Sequence, residues 1–215
     1  MPGAVLWDLD GTLVDSQELH WQAWRETMAA EGVPITREQF QATFGQRNDS
    51  FVPRWLGAGA TPERVVRVSE AKEACYRRLV RQVGLNPAPG ALEWVRRLHA
   101  EGWRQAIASS APRENVEVML DALGLRDCFQ ATVAAEDVSA GKPDPQVFLL
   151  AAARLEAPPE RCIVVEDAPA GIEAARKAGM RSVFISRGGL TAPADLVVSS
   201  LAELPPDAFA RLLGG

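Results

Sequence analysis

From Leu85 onward the chain alternates short apolar runs with stretches of helical period, and this alternation restricts the fold more than any other feature. Strands are expected over Gln105–Ala108, Ala131–Ala134, Cys162–Val165, Ser182–Ile185 and Leu196–Val198. Helices are expected over Ala91–Ala100, from Pro112 to Ala122, from Pro145 to Leu155 and over Ala170–Lys177. A β/α alternation implies a parallel sheet covered by helices on both faces. One further strand opens the chain: Ala4–Trp7 is an apolar run cut off by Asp8.

Between that first strand and the alternation, everything reads helical. A polar-capped helix starts near Asp15 and Ser16 and runs to Glu31, with Trp21, Trp24 and Met28 at helical spacing. Short segments surround Gly45 and the Gly57-Ala58-Gly59 run. A long helix opens at Thr61-Pro62, with Thr as cap and Pro in the first turn, and its apolar stripe is read as Val68, Ala71, Cys75 and Leu79. Pro87 and Pro89-Gly90 mark the return. The expected class is therefore α/β: a core of residues 1–14 and 83–215, with an all-helical block, 15–82, inserted after the first strand.

Composition removes several functions. Lys and Arg number 23 against 28 Asp and Glu, a net charge of −5, so there is no cationic excess to neutralise a nucleic-acid backbone. Three scattered cysteines and two histidines, His20 and His99, argue against a disulfide framework and against a thiolate or imidazole metal site. The longest uninterrupted apolar run, Val147–Ala153, is too short to span a bilayer, and Asp8 and Asp10 interrupt what would be a signal segment. A soluble protein of the reducing cytoplasm is expected, with no nucleic-acid or membrane partner, and a monomer is favoured.

Open α/β sheets bind ligands beyond the carboxyl ends of their strands. The polar residues that follow the expected strands are Asp8 and Asp10, Ser109 and Ser110, and Glu166 and Asp167. Lys142 follows the short strand after a longer loop. Asp8 and Asp10, spaced i, i+2, reach one site if the strand continues. Clustered with Asp167 they repel one another, which suits a divalent cation; oxygen ligands and few protein donors suit Mg²⁺. Each has an ordinary reading as well. Asp10-Gly11 is a common turn pair, Ser110 can cap the helix at Pro112, and Glu166 and Asp167 can cap the next one. Lys142 is less ordinary, because the chain uses Arg twenty times and Lys only at 72, 142 and 177. A compact point charge is suited to a phosphate.

The segments Asp8-Leu9-Asp10-Gly11-Thr12, Ser109, Gly141-Lys142-Pro143 and Glu166-Asp167 resemble, in order and spacing, the four motifs of the haloacid dehalogenase-like superfamily. The resemblance covers nearly the whole chain and is nearest to the β-phosphoglucomutase-like phosphatase branch, whose helical cap follows the first strand. It implies a Rossmann-like core and a cap, 15–82, that sets substrate specificity. It implies that Asp8 is a nucleophile forming an aspartyl-phosphate and that Asp10 is the general acid and base. Ser109 and Lys142 would then hold the phosphoryl oxygens. Asp8, Asp167, Glu166 and the main-chain carbonyl of Asp10 would surround Mg²⁺.

In the cap, His20, Arg47 and Lys72 match positions that meet substrate in β-phosphoglucomutases, and Ser110 is added to the substrate set; the Arg47 match needs a one-residue gap. The cap tryptophans are read as packing residues rather than a sugar platform. The connections Leu13–Ser16 and Gln82–Pro89 are expected hinges. The function expected is a Mg²⁺-dependent phosphatase acting on a small phosphorylated metabolite such as a sugar phosphate. A β-phosphoglucomutase is the alternative, and a non-catalytic phosphometabolite binder the remote one.

Overall fold

The structure is a computed structural model that describes residues 3–43 and 46–214. Gly45, around which a short helical segment was expected, lies outside the described residues. In chain order the elements are β1 (Ala4–Trp7), β2 (Val14–Asp15), α1 (Gln17–Ala30), α2 (Arg37–Gln41), α3 (Asn48–Leu56), α4 (Pro62–Val83), β3 (Asn86–Pro87), α5 (Ala91–Ala100), β4 (Arg104–Ala108), α6 (Arg113–Leu123), β5 (Ala131–Val133), α7 (Gln146–Arg154), β6 (Cys162–Glu166), α8 (Pro169–Lys177), β7 (Arg181–Ile185), β8 (Leu196–Val198) and α9 (Ala208–Leu212). The chain separates into two compact units, Met1–Asp15 with Asn86–Gly215, and Ser16–Leu85.

The first unit holds a six-stranded sheet in the order β5-β4-β1-β6-β7-β8, with every neighbouring pair parallel. This is the parallel sheet flanked by helices that the alternation predicted. Central β1 is wholly buried along Ala4, Val5, Leu6 and Trp7, which is why it reads as an unbroken apolar run. Alternate residues serve opposite faces. Ala4 and Leu6 pack with Phe148 and Ala151 of α7 and Ala174 and Ala175 of α8. Trp7 points the other way, 6.0 Å from the Phe209 ring of α9, which also meets Trp94 of α5 at 5.2 Å. Its buried indole Nε1 donates to Gln105 Oε1 at 2.9 Å, so burial leaves no orphaned donor.

At the edges of this unit one expectation needs correction, and two features appear that were not expected. The helix expected from near Asp15 and Ser16 starts at Gln17 with Ser16 at its cap, and just before it Val14–Asp15 pairs antiparallel with Asn86–Pro87, so the two crossings form a two-stranded ribbon. That pairing links residues far apart in sequence, and no local period announces it. Ser110 does not cap α6: it is exposed, Pro112 occupies the cap, and Ser109 Oγ accepts from the Ala111 N–H at 3.0 Å. The helix α9, too short for periodicity to reveal, was not foreseen.

The second unit is all-helical. Trp21, Trp24, Met28, Phe40, Phe51, Val52, Leu56 and Val68 form its core. Trp24 stands edge-on to Phe51 at 5.4 Å and to Trp55 at 5.1 Å, and so behaves as a packing residue, as the sequence suggested. Helix α4 starts as predicted, Pro62 in its first turn and Thr61 Oγ1 accepting from the Arg64 N–H at 3.2 Å. Its buried stripe, however, is Val68, Lys72, Glu73, Tyr76, Leu79 and Val80; Ala71 is exposed and Cys75 half-buried. Of the stripe read from the sequence, Val68 and Leu79 are buried; the charged residue types Lys72 and Glu73 take the buried places that an apolar pattern does not mark.

Candidate active site

Strand register brings the acids together. Trp7 lies beside Ile107 on one side and Val165 on the other, so the residues after β1, β4 and β6 emerge at one edge of the sheet. The Asp8 N–H continues the ladder to Val165 O at 3.0 Å. Carboxylate oxygens of Asp8, Glu166 and Asp167 then lie within 4.8 Å of one another. Lys142, from the loop after β5, places Nζ 2.6 Å from both Asp8 Oδ1 and Glu166 Oε1. Its peptide bond to Pro143 is cis.

After β1 the backbone turns sharply: Leu9 O accepts from the Leu13 N–H at 2.9 Å, and the Gly11 N–H donates to Val14 O at 2.8 Å. The turn diverts Asp10 from the strand direction, and its carboxylate is not one of the three that converge. The share in metal binding expected of Asp10 was through its main-chain carbonyl. Two glycines make room for the acids. Gly11 has φ +85°, and a Cβ there would stand 2.0 Å from Asp167 Oδ2. A Cβ on Gly171 of α8 would stand 2.0 Å from Glu166 Oε1. Thr12 Oγ1 donates to Asp167 Oδ1 at 3.3 Å, and the Ala168 N–H donates to Glu166 Oε2 at 2.8 Å. Ser109, 2% exposed, directly follows β4, its N–H donating to Val133 O.

The electrostatics follow from crowding. Burial pushes the Asp8 carboxyl well above the ordinary aspartate range; Lys142 opposes the shift, and Glu166 and Asp167 add to it by repulsion. Asp167 is pushed up to about 7 by burial and by Glu166, against the pull of Arg187 and Lys142. Burial alone would lower Lys142, but Asp8 and Glu166 outweigh it and hold the ammonium firmly charged. Three carboxylates face one hydrogen-bonded ammonium, and the donor set is all oxygen. This fits a divalent cation that prefers carboxylates. The thiol of Cys162 is no competing nucleophile: burial raises it to about 11.

The haloacid dehalogenase-like hydrolase family matches residues 2–179, which contain Asp8, Asp10, Ser109, Lys142, Glu166 and Asp167. The chain is a haloacid dehalogenase-like hydrolase. Within this family it is similar to the β-phosphoglucomutase of Bacillus subtilis strain 168, at 33% identity over 94% of this chain and 91% of that protein. It is equally similar, at 33%, to hexitol phosphatase B of Escherichia coli K12, over 94% of this chain and 93% of that protein. A crystal structure of a CbbY variant from Rhodobacter sphaeroides, in complex with xylulose-(1,5)-bisphosphate, superposes with a TM-score of 0.87 at 31% identity. That match covers 95% of this chain and 96% of the other. The hydrolase belongs to the β-phosphoglucomutase-like branch, and membership makes it an enzyme rather than a bare binder.

The helical unit of this hydrolase brings two of its three expected residues together. Lys72 Nζ lies 2.9 Å from His20 Nδ1. Arg47 instead sits at the cap of α3, half exposed, with its guanidinium 3.2 Å from Asp49. Sequence reasoning missed Glu73 and Asn48. Glu73 Oε1 accepts from Lys72 at 3.0 Å and from Asn48 Nδ2 at 2.8 Å. The only sequence signal was their adjacency to residues already chosen, Glu73 to Lys72 and Asn48 to Arg47.

Proposed function

We propose that this hydrolase cleaves a small phosphorylated metabolite, a sugar phosphate, in two steps through Asp8. A carboxylate oxygen of Asp8 attacks phosphorus as the ester P–O bond breaks, and Asp10 gives its proton to the leaving alkoxide. Water then attacks the aspartyl-phosphate, yields its proton to Asp10, and releases inorganic phosphate and free Asp8. Ser109 Oγ and the Lys142 ammonium hold the transferring oxygens. Asp8, Glu166, Asp167 and the main-chain carbonyl of Asp10 would hold Mg²⁺, which when bound offsets the repulsion between carboxylates and phosphate.

Supporting this reading above all is the meeting of Asp8, Glu166 and Asp167 within 4.8 Å with Lys142 on two of them. The helical unit sets substrate choice, with His20, Lys72 and Arg47 supplying polar contacts and Ser110 a further one from the core. Among the described residues no helix is long and apolar enough to cross a membrane, and Cys75, Cys128 and Cys162 are free thiols. We place the enzyme in the cytoplasm.

A mutase reading also has support, since identity to the Bacillus β-phosphoglucomutase equals that to the hexitol phosphatase. Incubation with β-glucose 1-phosphate and a trace of the bisphosphate separates the two. The phosphatase reading expects free phosphate from a panel of sugar phosphates that includes this one. Isomerisation to glucose 6-phosphate without free phosphate would replace it with the mutase.

A further inference from the structure

A buried cluster in the helical unit does more than place Lys72. Lys72 is 3% and Glu73 8% exposed, a burial that ordinarily excludes both residue types unless they are paired. The ammonium contacts Glu73 Oε1 at 3.0 Å and His20 Nδ1 at 2.9 Å, and lies over the rings of Trp24 and Tyr76 at 5.3 and 5.5 Å. Asn48 donates to the same Glu73 oxygen at 2.8 Å and so fixes the carboxylate from a second helix. The Tyr76 ring stacks on the His20 ring at 4.0 Å and 8°, which fixes the imidazole plane.

An ammonium can only donate hydrogen bonds. Nδ1 of His20 must therefore accept, and the neutral ring carries its proton on Nε2. We propose that Glu73 and Asn48 are positioning residues that hold Lys72 on Nδ1, so that His20 meets substrate as an Nε2–H donor and not as a base. Glu73 supplies the counter-charge without which a buried ammonium is not retained; Asn48 sets the rotamer of Glu73. The preferred partner for such a donor is a hydroxyl or phosphate oxygen of a phosphorylated polyol, a refinement that rests on the phosphatase reading above.

The test is nitrogen NMR of the full-length enzyme without substrate, at a pH above the ordinary histidine range. His20 and His99 are the two histidines, and a His99→Gln variant assigns their signals. The proposal expects protonated Nε2 and bare Nδ1 at His20 in the wild type. Glu73→Leu should mix the tautomers, and Glu73→Gln, which keeps the acceptor oxygen, should largely restore the bias. Asn48→Ala is a milder variant should Glu73→Leu fail to fold, and it should shift the populations the same way. In turnover with hexitol phosphates as probe, Glu73→Leu should raise KM about tenfold, the scale of one charge-assisted hydrogen bond, with a smaller effect in Glu73→Gln. A proton on Nδ1 in the wild type, or tautomer populations unmoved in both Glu73→Leu and Asn48→Ala, would overturn the proposal. The wild-type spectrum needs no turnover, so failure of the phosphatase reading shows separately, as absence of phosphate release with Mg²⁺.

Discussion

Two buried charge clusters set the two units apart. In the helical unit one carboxylate, Glu73, faces one ammonium, Lys72. In the core, Asp8, Glu166 and Asp167 converge, and Lys142 pairs with the first two. Burial is similar: the lysine side chains are 4% and 8% exposed. The charge balance is not. The Lys72–Glu73 pair is neutral in itself, whereas the core set carries an excess of negative charge that, with burial, raises Asp8 and Asp167 and suits a divalent cation. Unequal numbers of opposite charges, more than depth, distinguish a site that binds from a pair that braces.

The largest effect belongs to Asp8→Asn, which should lower phosphate release by about 10⁴-fold or more while leaving the circular dichroism spectrum unchanged, as expected for removal of a nucleophile. Next come the lysines. Lys142→Met and Lys72→Met each take a buried ammonium away from its carboxylate and should cost about 3–5 kcal/mol in urea melts without metal. Mg²⁺ should recover much of the loss at Lys142 and none at Lys72; equal recovery at both would erase the distinction between the clusters. Saturation with Mg²⁺ should stabilise the wild type by about 2.7 kcal/mol at a hundredfold excess over Kd, with the gain absent in Asp167→Asn and kept in Glu73→Gln.

The smallest effect is a pH slope. With the Asp167 carboxyl at about 7 in the fold and 3.8 as its ordinary value, protonation favours the metal-free folded state. The stability Asp167 contributes is complete below the ordinary aspartate range and is lost as pH rises through about 7. Urea midpoints in EDTA should therefore fall across that window, and Asp167→Asn should flatten the slope. Saturating Mg²⁺ should reverse its sign by favouring the carboxylate.

Much of the core was legible because its signals are local. The strand Ala4–Trp7 and the helix Ala91–Ala100 have the bounds read from apolar runs and helical period, and the acids sit directly after strands. Parallel topology then dictates that those ends converge at one edge, which is how Asp8 and Asp167 could be joined across the whole chain. What was not legible depends on long-range partners. The ribbon of Val14–Asp15 with Asn86–Pro87 has no period to detect. The burial of Lys72 and Glu73 contradicts their residue type, and the facing His20, Asn48 and Trp24 help make it tolerable. Arg187, whose charge lowers Asp167, follows β7 in a loop with no motif to mark it.

The most direct test of the account is a calorimetric titration of Mg²⁺ into the metal-free wild type, with Asp167→Asn and Glu73→Gln as matched samples. The account predicts one ion per chain in the wild type and in Glu73→Gln, and none in Asp167→Asn. Undiminished binding in Asp167→Asn, or loss of binding in Glu73→Gln, would contradict it.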